Sequence, residues 1–269
     1  MKDLEKRFRV REGGRVVLSR FETDDTAGFR SPEDAAPVLA RNLKRLDALQ
    51  YRLYAEGRRS LLIVLQGMDA AGKDGTVRHV MSGMNPQACR VSCFKKPTAE
   101  ELAHDFLWRI HREVPRHGEV GIFNRSHYED VLVVRVHQLV SKPVWKERYH
   151  RLNEFEENLR SSGTHILKFF LHLSRKEQTR RLKERLADPT KHWKLSEEDL
   201  SERKLWKDYQ AAYEEMLEKC STAHAPWYVI PADHKWFRDL AVAHIVADAL
   251  EALDPRFPEP KLDVSKVKL

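Results

Sequence analysis

The chain has 269 residues, 41% of them hydrophobic and 33% charged. That suits one large α/β domain, or a domain with an inserted subdomain, and excludes a largely disordered or fibrous chain. Forty-eight Lys and Arg against 41 Asp and Glu leave a formal net charge of +7, so an anionic partner is expected: nucleic acid, a nucleotide or another phosphate polymer.

The chain opens with mixed charge and no apolar stretch (MKDLEKR), which argues against a secretory signal and makes the cytoplasm the default address. The first thirty residues carry Gly13, Gly14 and Gly28 and read as an arm or surface loops. Apolar residues at Val38, Leu39, Leu43, Leu46, Leu49, Leu53 and Tyr54 keep helical spacing over about 33–56, with Gly57 as the stop. Ser60 to Gln66 is a continuous apolar run bounded by Gly67, the pattern of a strand buried on both faces. Its core, Leu61–Leu65, is far short of the roughly 20 residues that span a bilayer, so no membrane partner is expected.

A helix is expected over 75–84 and a strand over 88–94. Thr98, with Glu101 three residues on, has the spacing of a capping box. Further strands are expected at 120–123, 164–173 and 227–230, with helical pattern from about His127 and a long helix over about 197–220. Strands alternating with helical segments imply parallel, right-handed βαβ units. The divisions expected are an N-terminal arm and helix (1–57), an α/β domain (58–254) and a loose tail (255–269). Cys89, Cys93 and Cys220 are too few for a disulfide framework, and no His-Glu-x-x-His pair occurs, so a structural transition-metal site is not expected.

The most informative segment is Gly67-Met68-Asp69-Ala70-Ala71-Gly72-Lys73-Asp74-Gly75, which follows a buried strand and opens a helix. Gly67, Gly72 and Lys73 have the G-x-x-x-x-G-K spacing of a phosphate-binding loop. Backbone N–H groups of such a loop cradle phosphate oxygens at a helix N-terminus, and the lysine neutralises the terminal phosphates. Asp74 stands where such loops usually place Ser or Thr for magnesium. Asp69 is the alternative Mg²⁺ ligand, since a carboxylate is a hard donor, or else a cap for the following helix.

The strand ending at 123 leads into Asn124-Arg125-Ser126-His127-Tyr128-Glu129-Asp130. Arg125 can fork onto phosphate oxygens, or form a surface ion pair with Glu129. Between Arg175 and Lys194 lie Lys176, Arg180, Arg181, Lys183, Arg185 and Lys191, with Arg181 and Arg185 on one helical face. Such a run is either a solvated face or, after the fourth strand of a phosphate-loop protein, a lid at about 175–205 that brings cations onto a phosphoryl group. Trp206, Tyr209 and Tyr213 read as packing residues rather than base-stacking ones. On these residues alone, an ATP-dependent nucleoside or nucleotide kinase and a non-catalytic nucleic-acid- or nucleotide-binding module remain open.

The segments GMDAAGKDG (67–75), HDFLWR (104–109), FNRSHYEDVLV (123–133), KFFLHLS (168–174) and APWYVIPAD (225–233) together resemble the polyphosphate kinase 2 family, the polyphosphate:nucleotide phosphotransferases, from about Leu46 to Leu253. The resemblance implies a three-layer α/β/α P-loop kinase fold of the thymidylate-kinase type, with a parallel central sheet and a helical lid. It also implies reversible transfer of the terminal phosphoryl group of inorganic polyphosphate to a nucleotide, with Mg²⁺ (Mn²⁺ as a substitute) and no nucleic-acid partner. Adenine nucleotides, AMP and ADP, are the expected acceptors, with guanine nucleotides as alternatives, in a homo-oligomer. By position, Asp69, Lys73, Arg125 and Arg185 match catalytic residues. Gly67, Ala70, Ala71, Gly72, Asp74, Gly75, Asn124, Glu129, Arg181, Lys191 and Lys194 are expected to bind substrate and phosphate. Many members have Asp where this chain has Asn124; the Phe-Asn-Arg-Ser form with Glu129 resembles the subgroup that accepts both mono- and diphosphates. One carboxylate fewer lowers the local negative charge facing a more highly phosphorylated acceptor. Lys95, Trp108 and Arg109 are the candidates for holding the base.

Overall fold

Strand β1 (Ser60–Gln66) is buried at every position, because it runs through the middle of a parallel sheet with helices on both faces. The computed structural model describes residues 4–195 and 197–267. The first three residues of the expected arm, Ser196 in the expected lid and the last two residues of the tail therefore lie outside the described residues. The remaining strands are β2 (Cys89–Cys93), β3 (Val120–Asn124), β4 (Thr164–His172) and β5 (Trp227–Pro231). They form one five-stranded sheet in the order β2-β3-β1-β4-β5, with every neighbouring pair parallel.

Alternation along β1 separates two cores. Leu61, Ile63 and Leu65 pack on the side of α1 (Leu4–Phe8), α2 (Pro32–Glu56), α3 (Lys73–Val80) and, later in the chain, Lys235–Leu253. Leu62 and Val64 face the other layer, with Leu152, Phe155, Ala212 and Met216. The short helices α4 (Ala99–Leu102), α5 (Trp108–His111) and α6 (Val133–Val136) flank β2 and β3 in the chain. The second layer is built on α7 (Lys142–Ser161) and α10 (Trp206–Cys220); α8 (Arg175–Ala187) and α9 (Glu197–Glu202) lie between β4 and α10 in the chain. Among the described residues no helix is long and apolar enough to cross a membrane.

The last helix, α11 (Lys235–Leu253), is buried at every position from Phe237 to Ala247. It lies between the sheet and α2, so no polar stripe marks it, and its sequence lacks the period that betrays α2. The Thr98 capping box forms as its spacing predicts. Three expected elements differ. Helix α3 starts two residues before the predicted 75 and gives way to a 3-10 turn at Met81–Gly83. The helical pattern from His127 resolves into a 3-10 turn (His127–Asp130), α6 and α7. The long helix over 197–220 is broken at a 3-10 turn (Arg203–Leu205), where Arg203 reaches back to the Thr179 hydroxyl of α8.

The N-terminal arm is part of the core rather than a surface loop. Leu4, Phe8, Val10, Val16 and Leu18 are buried, Arg9 bridges Tyr228 in antiparallel fashion, and the Val10 N–H donates to the Trp227 carbonyl at 2.9 Å. The arm thereby covers the β5 edge of the sheet, which would otherwise present unpaired backbone groups. Residues after Asp254 are mostly exposed, with Phe257 edge-on to Tyr51. Phe8 meets Phe237 edge-to-face at 5.9 Å, so Phe8→Ala should lower the unfolding free energy in urea by about 3 kcal/mol; an arm merely draped on the surface would leave it unchanged.

Candidate active site

Leu65 of β1 lies beside Asn124 of β3, so the loop after β1 and the turn after β3 leave the sheet together at its carboxyl edge. With β3 on one side of β1 and β4 on the other, this is the point where chain connections diverge and a crevice opens. The loop 67–72 needs backbone that most side chains resist. Gly67 has φ +153° and Gly72 φ +104°; a Cβ on Gly67 would lie 2.8 Å from the Leu171 carbonyl, and one on Gly72 would strike the Arg238 guanidinium. Ala70 accepts φ +63°, a left-handed conformation that costs an L-residue about 1–2 kcal/mol.

The loop carbonyls are all engaged. Gly67 O accepts from Lys73 Nζ at 2.7 Å, Met68 O from the Ala71 N–H at 3.0 Å and Asp69 O from Gln178 Nε2 at 3.0 Å. Arg181 donates to Ala70 O and Ala71 O at 2.9 and 3.1 Å, and Arg238 adds a bond to Ala71 O at 3.3 Å. Gly72 O accepts from the Thr76 N–H at 2.9 Å. With the carbonyls held this way, the first-turn N–H groups of α3, which have no acceptor in their own helix, are left for an anion. Lys73 sits over the mouth of this loop. Burial and the neighbouring Arg125 push its pKa below the ordinary lysine value.

Arg125 follows β3 with φ +61° and reaches Asp69 at 3.1 Å and Glu129 at 3.6 Å. Burial disfavours its charge, but these two carboxylates outweigh that and raise its pKa. Asn124 Nδ2 donates to Asp74 Oδ1 at 2.8 Å, and Lys194 stands 3.6 Å from the same carboxylate. Burial of Asp74 opposes ionisation, while Asn124, Lys194 and Lys73 together lower its pKa. The strand end, the helix start and the segment after α8 thus meet around one carboxylate.

The structure therefore gathers Gly67, Asp69, Lys73, Asp74, Asn124, Arg125, Glu129 and Lys194 at one edge. Gly75 lies in the first turn of α3 facing Arg238. Arg181 is placed elsewhere than the phosphate side where its charge suggested: it is buried behind the loop, with further bonds to Ala232 O, Asp233 O and Glu177. Arg185 lies one turn farther along α8 and half-buried, and Lys191 pairs with Asp188 at 2.5 Å.

From Gly67, Asp69, Arg125 and Glu129 a cleft of about 770 Å³ extends toward Phe94, Arg109, Asp130 and Arg148. Of the base-binding candidates, Lys95 and Arg109 line it; Trp108 instead stacks on His104 at 4.1 Å. At its far end Arg109 lies over the Phe94 ring and Arg148 over Phe106. Arg148 also donates to Asp130 Oδ1 at 2.7 Å. Burial, opposed by Arg148 and Arg109, pushes the Asp130 carboxyl up to about 6. Phe94, Arg148, Gln178 and Arg238 carried no recognisable sequence signal, except that Arg238 is a lone arginine in an apolar helix.

Residues 30–258 match the family model for polyphosphate kinase 2. The chain belongs to the polyphosphate kinase 2 family. It is 52% identical over 263 residues to the AMP/ADP-polyphosphate phosphotransferase of Meiothermus ruber, covering 97% of this chain and 98% of that one. It is 45% identical to the ADP-polyphosphate phosphotransferase of Rhodopseudomonas palustris, covering 96% and 94%. The crystal structure of polyphosphate kinase 2 from Arthrobacter aurescens TC1 superimposes with a TM-score of 0.94 at 44% identity, over 98% of this chain and 94% of that one. The parallel sheet, phosphate loop and helical layers are thus those of an α/β P-loop kinase of the polyphosphate kinase 2 family.

Two measurements check the loop's support. Arg181→Ala leaves buried acceptors unpaired and should lower the unfolding free energy by about 3 kcal/mol or more, whereas Arg180→Ala, an exposed neighbour, should change it by about 0.5 kcal/mol. Glu177 caps this cluster; burial raises its pKa, but the hydrogen bonds from Arg180 and Arg181 prevail and hold it at about 2. Because the folded-state value is the lower one, its contribution is present above the unfolded-state pKa and is lost as acidification proceeds toward about 2. Thermal midpoints measured against pH should fall more steeply in that window for the wild type than for Glu177→Gln.

Proposed function

We propose that the protein transfers the terminal phosphoryl group of inorganic polyphosphate reversibly to AMP and ADP. The carrying observation is the junction at Asp69: the phosphate loop, the Arg125 guanidinium and the long cleft all open onto it. Polyphosphate lies over Lys73 and along the basic residues Arg185, Lys191 and Lys194, and the acceptor nucleotide lies in the cleft, whose volume is ordinary for a small-molecule site.

An acceptor phosphate oxygen attacks the terminal phosphorus of the chain. The new P–O bond forms as the bridging bond to the penultimate phosphate breaks, leaving polyphosphate one unit shorter. The attacking oxygen is already ionised, so alignment and positive charge matter more than a strong base. Lys73 and the α3 amides hold the donor end, while Arg125 sits between donor and acceptor, where charge accumulates; Arg185 is assigned to the donor side of the same centre. Condensed phosphate beside Lys73 favours its charged form against the burial that opposes it.

Asp69 is the proposed Mg²⁺ ligand. The residues fit a lightly held magnesium: Asp69 lines the cleft beside the phosphate loop, and Mg²⁺ commonly takes one or two carboxylates with phosphates and waters completing its shell. When bound, the ion (or Mn²⁺) neutralises phosphate oxygens. Guanine nucleotides as alternative acceptors, a cytoplasmic location and a homo-oligomer belong to the same proposal.

Incubating the protein with AMP, Mg²⁺ and polyphosphate, without added nucleoside triphosphate, should yield ADP and then ATP. Phosphorylation only when ATP is the donor would instead identify an ATP-dependent kinase. Lys73→Ala should reduce turnover by about 10²-fold or more while the fold is retained, checked by circular dichroism.

A further inference from the structure

The segment that brings Arg125, Glu129 and Asp130 to the cleft is held from behind by side chains that do not line it. Lys168, in the middle of β4, is fully buried; its ammonium donates to Glu156 Oε2 at 2.5 Å, the Tyr128 hydroxyl at 2.8 Å and the Cys220 carbonyl at 2.6 Å. Glu156, equally buried, accepts the Tyr128 O–H on Oε1 at 2.7 Å, and the same oxygen is 3.0 Å from His127 Nε2. The Tyr128 and Trp227 rings flank the ammonium at 5.2 and 5.3 Å. Ser126 Oγ accepts from Gln66 Nε2 at 3.1 Å and from the Tyr128 N–H at 3.2 Å.

A buried ion pair of this kind is a weak source of stability, because desolvation offsets most of its attraction and an apolar core of similar volume serves as well. What adjoins it is a strained backbone. Arg125 is held at φ +61°, a conformation that persists in a long-chain residue only where its surroundings over-determine it. On one side the Arg125 N–H is tied to the Leu65 carbonyl at 3.1 Å. On the other, Ser126 is held by Gln66, and His127 and Tyr128 are fixed by Glu156.

We propose that the buried Lys168–Glu156–Tyr128 cluster is a positioning device for Arg125, holding its guanidinium between Asp69 and Glu129 for phosphoryl transfer. This rests on the role assigned to Arg125 above. None of the three residues touches substrate; each acts through the backbone of 125–128. Polyphosphate affinity, set by the phosphate loop and the basic segment after β4, is therefore independent of the cluster.

Tyr128→Phe deletes one hydroxyl and keeps the ring against Trp227. It should lower kcat by about 10-fold or more, with the KM for polyphosphate within about twofold and the thermal midpoint near that of the wild type. The deciding measurement is the same substitution in an Arg125→Ala background, where it should lower kcat no further. The charge-free Lys168→Met/Glu156→Leu protein should show the same kcat loss and the same dependence on Arg125. Wild-type kcat in Tyr128→Phe, or an equal fold-loss in both backgrounds, overturns the positioning role whether or not the double variant folds. Wild-type kcat in Arg125→Ala instead removes Arg125 from catalysis, and the proposal with it.

Discussion

A phosphate-binding loop can turn its amides toward an anion only if its carbonyls are occupied elsewhere. In this protein the central carbonyls, those of Asp69, Ala70 and Ala71, are bound by Gln178 and Arg181 from α8 and by Arg238 from α11. A buried guanidinium is suited to this task because its donors lie in one plane and can bridge several acceptors at once. Arg181 also spans to Ala232 and Asp233 after β5, so the loop between β1 and α3 is fastened to the far side of the sheet. The glycines follow from the same arrangement: at Gly72 the Arg238 guanidinium occupies the volume that a side chain would need.

The basic surplus is therefore not one electrostatic surface. Arg181 and Arg238 are buried and act as hydrogen-bonding scaffold, and Lys168 belongs to a closed buried cluster. Lys73 and Arg125 stand at the junction of loop and cleft, while Lys191 and Lys194 lie on the surface segment after α8. Net charge correctly suggests an anionic partner, but it does not distinguish cations that meet that partner from cations that shape the site. Asn124 and Asp74 add a further refinement. Their hydrogen bond joins the position usually given to a hydroxyl with the position often given to a second acid, while Asp69 lines the cleft together with Glu129 and Asp130.

Strands β1, β3, β4 and β5 were legible because each is a short, mainly apolar run, β2 (Cys89–Cys93) being the mixed and more exposed exception, and the loop because glycine and lysine spacing survives in a single sequence. Helix α11 was not, since burial on all sides removes the polar stripe that periodicity detects. The burial of the arm was hidden for a related reason: its charged residues are interleaved with Leu4, Phe8, Val10 and Val16, and the partners of its residues 8–10 are in β5 and α11, more than two hundred residues away. The motif residues around Asp69 and Arg125 could be named in advance because they sit in recognisable local patterns. Arg148, Gln178 and Arg238 could not, because what defines them is a partner distant in sequence. Arg181 shows the converse error: a helical basic run suggested solvent or phosphate, and only the packing of α8 against the loop shows that this arginine points inward.

The position of Arg181 also limits how the segment after β4 can move. The first two turns of α8 are pinned, by Ser174 to Asp233, by Gln178 to Asp69 and by Arg181 to the loop. Swinging that part of the helix would strip hydrogen bonds from the very backbone that must stay rigid. A displacement of this segment that left the loop intact would therefore have to begin beyond Arg181. One helix thus roots the phosphate loop with its first turns and carries the basic segment of Lys191 and Lys194 beyond its last.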